Sequence, residues 1–275
     1  MPQHLDPYSA LLHHAAFAGE EPWLFRSEGW DWRWSSWGEL ARQAALWAGE
    51  LAELPPASRA AFLYRPQPEA VALDLAIQGA GLTSVPVSGG REAVAEWGCR
   101  WIEPSAPDPV SHRPPLAQER GSSGGAVVVI GGSPVELGSG ELMGMAERVQ
   151  AEIAPARRAG GREIVVLGGP LEKPAERAML TWATVTGAAV ALEPAPGMRV
   201  AAAAWVRPTV FHGTAEEIAG LRAWVEKAGR RRRLPFGRLR TVLVSGGERL
   251  GKEETAFWHG LGVRVAALPA QVATS

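Results

Sequence analysis

The chain has 275 residues, 46% of them apolar and 21% charged, with a formal net charge of −1 and a single cysteine. Such a length supports one large or two modest domains with a real core, and the balanced charge excludes a global field that would gather nucleic acid. Cys99 alone cannot build a disulfide framework, which fits a reducing, cytoplasmic setting, and it is expected to be a small packed residue. Residues Met1 to Gly19 lack a basic start followed by an apolar stretch, so no signal peptide is expected, and no uncharged apolar run is long enough to cross a bilayer.

Twelve tryptophans stand out, with Trp30, Trp32, Trp34, Trp37 and Trp47 close together. Core and edge packing is their expected use, and an exposed aromatic surface that meets a partner is the alternative. The first clear helix spans Ser35–Leu54, opened by the capping pair Ser36 and Glu39, with Trp37, Leu40, Ala44, Trp47 and Leu51 on one face. A strand at Arg59–Tyr64, a helix from Pro68 to Ala80 and a strand ending at Val87 follow, then a short helix at Glu92–Trp97 and a strand at Arg100–Glu103. Residues 104–125 are rich in Pro, Ser and Gly and read as a connection between a first part, 1–103, and a second, 126–275.

The second part reads as strand Ala126–Ile130, loop Gly131–Gly140 and amphipathic helix Glu141–Arg158. Strand Ile164–Leu167, helix Pro174–Thr186 and strand Ala188–Leu192 come next. Pro194 to Gly197 turns the chain, and Val200–Val206 is a helix or buried connector. Thr209–Phe211 is a strand, and Thr214 with Glu217 caps a helix carrying Ile218, Leu221 and Val225 inward. Strand Thr241–Val244, helix Glu248–His259 and strand Val263–Leu268 complete the series. The basic run Arg230–Arg233 reads as a solvated loop.

Four apolar runs end in glycine pairs: Gly89-Gly90, Gly131-Gly132, Gly168-Gly169 and Gly246-Gly247. Strands alternating with helices predict an α/β fold of largely parallel sheets flanked by helices. Ligands in such sheets bind beyond the carboxyl ends of the strands, where these glycines lie.

Residues Arg207-Pro208-Thr209, Ser245-Gly246-Gly247-Glu248 within Leu239–Leu250, Ser36-Trp37-Gly38-Glu39-Leu40 and Arg59–Leu63 through Val85-Pro86-Val87 follow a familiar order. They resemble, respectively, the "KPT", "LR-x-hhh-SGG-x-x-L", "TY-x-EL" and "R-V-A-hh … aG-x-x-x-v-Pl" motifs of the acyl-adenylate-forming superfamily, the AMP-forming acyl-CoA ligases and their relatives. The likeness covers most of this chain but only the first part of the family's length. It implies the family's N-terminal α/β fold in two subdomains. The ribose-binding aspartate and the C-terminal lid are expected to be absent.

The same resemblance implies losses. The family's phosphate loop corresponds to Gly131, Gly132, Ser133, Gly138, Ser139 and Gly140, with Pro134 and Val135 for its threonines and Ser139 for its lysine. Glu136 would then place a negative charge near the phosphates. Lys173 replaces the histidine of "LPL-x-H", and Ala273 replaces the magnesium-binding glutamate of "YG-x-TE". What survives is a possible nucleotide-binding wall at Ser245, Gly246, Gly247 and Glu248, and a possible acyl-pocket turn at His212 and Gly213; His212 also reads as a packed or capping residue.

Two functions follow from the resemblance. One is an acyl-CoA ligase-like domain without ATP chemistry, without catalytic residues or a metal, kept for binding or assembly as a homo- or hetero-oligomer. The other is a divergent AMP-forming carboxylate–CoA ligase for a fatty or aromatic acid, using ATP and magnesium with a separate lid subunit. A label of AMP-dependent synthetase suits either.

Overall fold

The computed structural model describes residues 5–28, 31–103, 124–130, 132–156, 161–193, 197–228 and 238–268. Helix α1 (Pro7–Ala18) is followed by an antiparallel hairpin, β1 (Pro22–Glu28) and β2 (Asp31–Ser36), and by α2 (Trp37–Leu51). Next come β3 (Arg59–Leu63), α3 (Pro68–Gly79), β4 (Thr83–Val87), a 3-10 turn (Arg91–Trp97), β5 (Arg100–Trp101), β6 (Gly125–Ile130), β7 (Ser133–Leu137) and α4 (Ser139–Ile153). The remainder is β8 (Ile164–Leu167), α5 (Pro174–Thr186), β9 (Ala189–Leu192), α6 (Arg199–Val206), β10 (Val210–Gly213), α7 (Ala215–Ala228), β11 (Thr241–Val244), α8 (Lys252–Gly260) and β12 (Arg264–Ala267).

These strands form two sheets. One has the order β12-β11-β10-β8-β9-β1-β2 and the other β5-β3-β4-β6-β7, parallel throughout except for the β1–β2 and β6–β7 pairs. Residues 1–103 and 126–275 do not map one to each sheet: β1 and β2 join the larger sheet, while β6 and β7 join the smaller.

The period-2 alternation of the strands explains the layers. Val165, Leu167, Val190 and Leu192 on one face of the large sheet, and Ala60, Phe62, Ala126 and Val128 on one face of the small sheet, share a central core with α1 to α5. Their sequence neighbours point the other way. Val166, Ala191, Phe211, Val242 and Val244 pack under α6, α7 and α8, and Ala61, Val85 and Val127 lie under the 3-10 turn. The helices of α3 to α5 are thus sandwiched between sheets, which is why α3 buries residues around its whole circumference instead of along one stripe.

Local signals act as expected. Ser36 Oγ accepts from the Glu39 N–H at 3.2 Å, while the Ser36 N–H donates to Glu39 Oε2 at 2.8 Å. Trp23 and Trp37 stack with centroids 4.1 Å apart, and Trp23 Nε1 donates to the Ala188 carbonyl at 2.9 Å. Within the tryptophan cluster Trp37 and Trp47 are buried and Trp32 partly so, Trp34 is 51% exposed, and Trp30 lies outside the described residues. Cys99 is a free, partly buried thiol whose pKa burial pushes up.

Three expectations change. The segment Gly131–Gly140 is not one loop: Ser133–Leu137 pairs back onto β6 as an antiparallel strand, which tolerates Pro134 because β7 is the sheet's edge. The helix predicted to begin at Glu248 begins at Lys252, because positive φ at Gly246 (79°) and Gly247 (72°) turns the chain first and Gly251 caps the helix. The predicted sequence elements omit α1, β1 and β2, which lie in a hairpin and helix near the amino end. Most of 104–125, all of Arg230–Arg233 and Pro194 lie outside the described residues. Among the described residues, no helix is long and apolar enough to cross a membrane.

Candidate functional site at the carboxyl ends of the large sheet

Parallel pairing of β10 with β11 puts His212 beside Leu243 and Gly213 beside Val244. The two predicted turns, His212-Gly213 and Ser245–Glu248, are thereby neighbours. The Ser245 N–H donates to the Gly213 carbonyl at 2.8 Å, and Glu248 Oε2 accepts from the Ala215 N–H at 3.0 Å. Glu248 is thus engaged at the start of α7, where a carboxylate is favoured by the helix dipole. Gly246 and Gly247 remain exposed, and a Cβ on Gly246 would meet no atom within 4 Å.

One strand further in, the carboxyl ends carry a buried ionic cluster. Glu176 in the first turn of α5, Glu193 just after β9, Arg199 at the start of α6, His212 in β10 and Glu217 in the first turn of α7 converge there. Arg199 Nη2 donates to Glu176 Oε1 at 2.6 Å and Nη1 to the His212 carbonyl at 2.9 Å. Its Nε lies 3.6 Å from Glu193 Oε2 and its Nη1 3.5 Å from Glu217 Oε2. His212 Nε2 is 3.3 Å from Glu176 Oε1, and the imidazole is fully buried. Gly168, at the exit of β8, leaves the room the cluster uses: a Cβ there would fall 1.6 Å from Glu193 Oε2, so the Glu193 side chain would have to shift.

The cluster sets its own charge states. Burial opposes ionisation of Glu176, but the proximity of His212 and Arg199 and the hydrogen bond from Arg199 outweigh it and hold the carboxyl at about 2. Glu193 moves the opposite way, pushed up mainly by burial despite Arg199. Arg199 is desolvated too, yet its three carboxylates hold its pKa above the ordinary value. A guanidinium this well held can organise a helix and three strand ends.

The remaining predicted residues are dispersed. In the β6–β7 hairpin, Ile130 pairs with Ser133, so Gly132 lies in the turn and Ser133 opens β7 at the carboxyl end of β6 in the small sheet. Gly138 precedes α4, and Ser139 and Gly140 lie in its first turn at the opposite, amino end, roughly 17 Å of strand away. Glu136 is not near a carboxyl-end site. It accepts from Thr83 Oγ1 and, at 3.2 and 3.1 Å, from Arg59 Nε and Nη2, at the amino ends of β3 and β4. Lys173 is the N-cap of α5, while its neighbour Glu172 accepts from the Ser88 N–H at 3.1 Å and the Ser88 hydroxyl at 2.6 Å. Gly131 and Ala273 lie outside the described residues.

The three glutamates of the cluster direct oxygens at Arg199, and no group of three His, Cys, Asp or Glu among the described residues is arranged to hold a metal ion. Sequence reasoning missed Arg199, Glu176 and Glu193, and its only signals for them were a glutamate right after a Val/Ala strand and another in a helix's first turn.

No family model and no curated protein matches the chain. Solved structures do. A nonribosomal peptide synthetase, FmoA3, is 16% identical with a TM-score of 0.81, over 96% of this chain and 31% of that one. The N-terminal domain of FACL13 from Mycobacterium tuberculosis is 13% identical with a TM-score of 0.72, over 95% and 75%. The o-succinylbenzoate coenzyme A synthetase MenE from Bacillus subtilis is 14% identical with a TM-score of 0.70, over 95% and 60%. The chain therefore has the α/β fold of the N-terminal part of these enzymes, and spans about a third of the FmoA3 chain.

Proposed function

We propose that this chain is an acyl-CoA ligase-like domain that does not handle ATP and that acts as a non-catalytic binding or assembly protein in the cytoplasm. The observation that carries the reading is the Arg199 cluster. In a parallel α/β sheet the ligand's place is beyond the strands' carboxyl ends. Here a guanidinium bound to Glu176, Glu193 and Glu217 lies across the ends of β8, β9 and β10, and every member but Glu217 is buried.

Displacing pyrophosphate from ATP needs positive charge and positioning around the phosphates. The surroundings of this cluster carry the wrong sign, with three carboxylates to one guanidinium. Opening the site for a triphosphate would require parting Arg199 from Glu176, and an uncompensated buried charge costs several kcal/mol. The separation of Gly132-Ser133 from Ser139-Gly140 by a strand supports the same reading, since a phosphate cradle needs its donors on one concave surface. On this reading ATP, AMP and magnesium are not its cofactors.

The test is incubation with ATP, magnesium and a panel of fatty and aromatic acids, with and without coenzyme A. The expected result is no pyrophosphate release and no acyl-AMP above a protein-free control. Turnover would overturn the proposal. It would favour instead the divergent AMP-forming ligase, for which the neighbours' fold is the supporting observation.

A further inference from the structure

We infer that the outer face of the β1–β2 hairpin, together with the free flank of α6, docks a proline-rich segment of another protein in the polyproline II conformation. The inference rests on the pattern of the hairpin and holds whether or not the chain handles ATP.

The hairpin has its two faces in reverse of the usual order. Its register sets Arg26 opposite Arg33 and Glu28 opposite Asp31, and sets Phe25 opposite Trp34 and Ser27 opposite Trp32. Alternate residues share a face. Leu24 belongs to the central core, and Arg26 lies 3.6 Å from Glu69 in α3, so the hairpin's charges share the face turned to the helical layer. Phe25 and Trp32 turn the other way, against the second core, and Trp34 shares their face. A sheet with one wet face ordinarily puts its polar residues there. Here the face away from the central core carries the aromatics and no charge.

Helix α6 extends that face. Ala202, Ala203 and Val206 turn towards the sheet, and Val200 turns towards α7, where a Cβ on Gly220 would lie 3.8 Å from its Cγ2. At about 100° per residue, Met198 and Trp205 fall on the opposite flank. Since α7 packs over β10 and β11, that flank looks along the sheet towards β9, β1 and β2. The result is a trough floored by Phe25 and Trp32 and flanked by Trp34 and Trp205.

Size and chemistry select the occupant. Trp34 and Trp205 are 51% and 64% exposed, roughly 300 Å² of surface at about 250 Å² per tryptophan. A stable contact between folded surfaces takes about 800 Å² a side, so a second copy finds too little here, whereas a short extended segment finds enough. The polar handle of the trough is its indole N–H groups. Among the described residues nothing accepts from Nε1 of Trp32, Trp34 or Trp205, whereas the buried Trp23 and Trp182 donate to the Ala188 carbonyl at 2.9 Å and to Gln150 Oε1 at 2.8 Å. The fitting ligand therefore presents apolar ridges and free carbonyl acceptors and carries no charge. A polyproline II helix does: its prolines lack the N–H, its carbonyls make no internal hydrogen bonds, and its stiffness lowers the ordering cost.

The test is titration calorimetry of the full chain with a decaproline peptide and a Gly/Ser peptide of equal length. It is run on the wild type, Trp34→Ala, Trp205→Ala and, as a control on the exposed aromatic of α1, Phe17→Ala. Circular dichroism confirms each fold, and sedimentation velocity follows each chain without peptide. The wild type is expected to bind decaproline saturably and the Gly/Ser peptide not at all. Trp34→Ala and Trp205→Ala should each weaken binding roughly tenfold or more, and Phe17→Ala should leave it unchanged. A wild type that does not bind decaproline overturns the inference, as does binding that neither tryptophan variant weakens. So does a dimer of the free chain that Trp34→Ala dissolves, since it assigns the face to a second copy.

Discussion

Two buried ionic groups flank α5, and they are built differently. Arg177 and Asp74 form a one-to-one pair joining α5 to α3, with both Asp74 oxygens engaged: Ser84 and Arg177 Nη2 donate to one, Gln78 and Arg177 Nη1 to the other. The residue before Arg177, Glu176, belongs to the second group, in which Arg199 faces three glutamates and an imidazole whose nitrogens lack hydrogen-bond partners. The first group is balanced and sealed inside the helical layer. The second is unbalanced and lies at the strand ends, where the fold would take a ligand. The contrast teaches that burial of charge alone does not mark a site; position in the sheet and residual imbalance do.

The largest effect that could break this comparison is expected at the balanced pair. Arg177→Ala leaves Asp74 buried without its cation and should cost about 3–5 kcal/mol in urea unfolding. A loss no greater than that of an exposed ion pair would mean the pair is not a staple.

The unbalanced cluster should instead reveal itself through pH. The Glu176 carboxyl is lowered from 4.5 to about 2, so its stabilisation is complete above about 4.5 and is lost as pH falls towards 2. The difference corresponds to roughly 3 kcal/mol. Glu176→Gln should therefore be less stable than wild type by about that amount at neutral pH, and the two unfolding free energies should converge on acidification through that window. Parallel curves would remove Glu176 from the cluster's charge balance.

A smaller effect sharpens the geometry. Gly168→Ala forces Glu193 away from Arg199 and should cost about 1–3 kcal/mol, as overpacking does; thermal melting checks it. Away from both groups, Ser36→Ala removes one cap of α2 and should cost about 1 kcal/mol. An equal loss at all these positions would erase the distinction drawn here.

Much of the fold is legible in the sequence, and the reason is local. Short Val/Ile/Leu runs such as Ile164–Leu167 and Thr241–Val244 have few other uses, and capping pairs such as Ser36/Glu39 and Thr214/Glu217 mark helix starts chemically. The β1–β2 hairpin is harder to read, since its tryptophans suit core, edge or surface equally. β7 is obscured by Pro134, which signals a loop unless the edge position is known. Asp6 before Pro7 is a start signal for α1, and Asp6 does accept from the Ser9 N–H. At the candidate site, the pairing of His212-Gly213 with Ser245–Glu248 follows from adjacent parallel strands. The Arg199 cluster does not, because its members come from five segments that only the closed sheet brings together.

The central claim is that the carboxyl ends of the large sheet are committed to the chain's own charges and do not receive nucleotide. Titration calorimetry of the chain with ATP and magnesium tests it most directly. The account predicts heats no different from dilution at millimolar nucleotide; a saturable isotherm with a defined stoichiometry would contradict it.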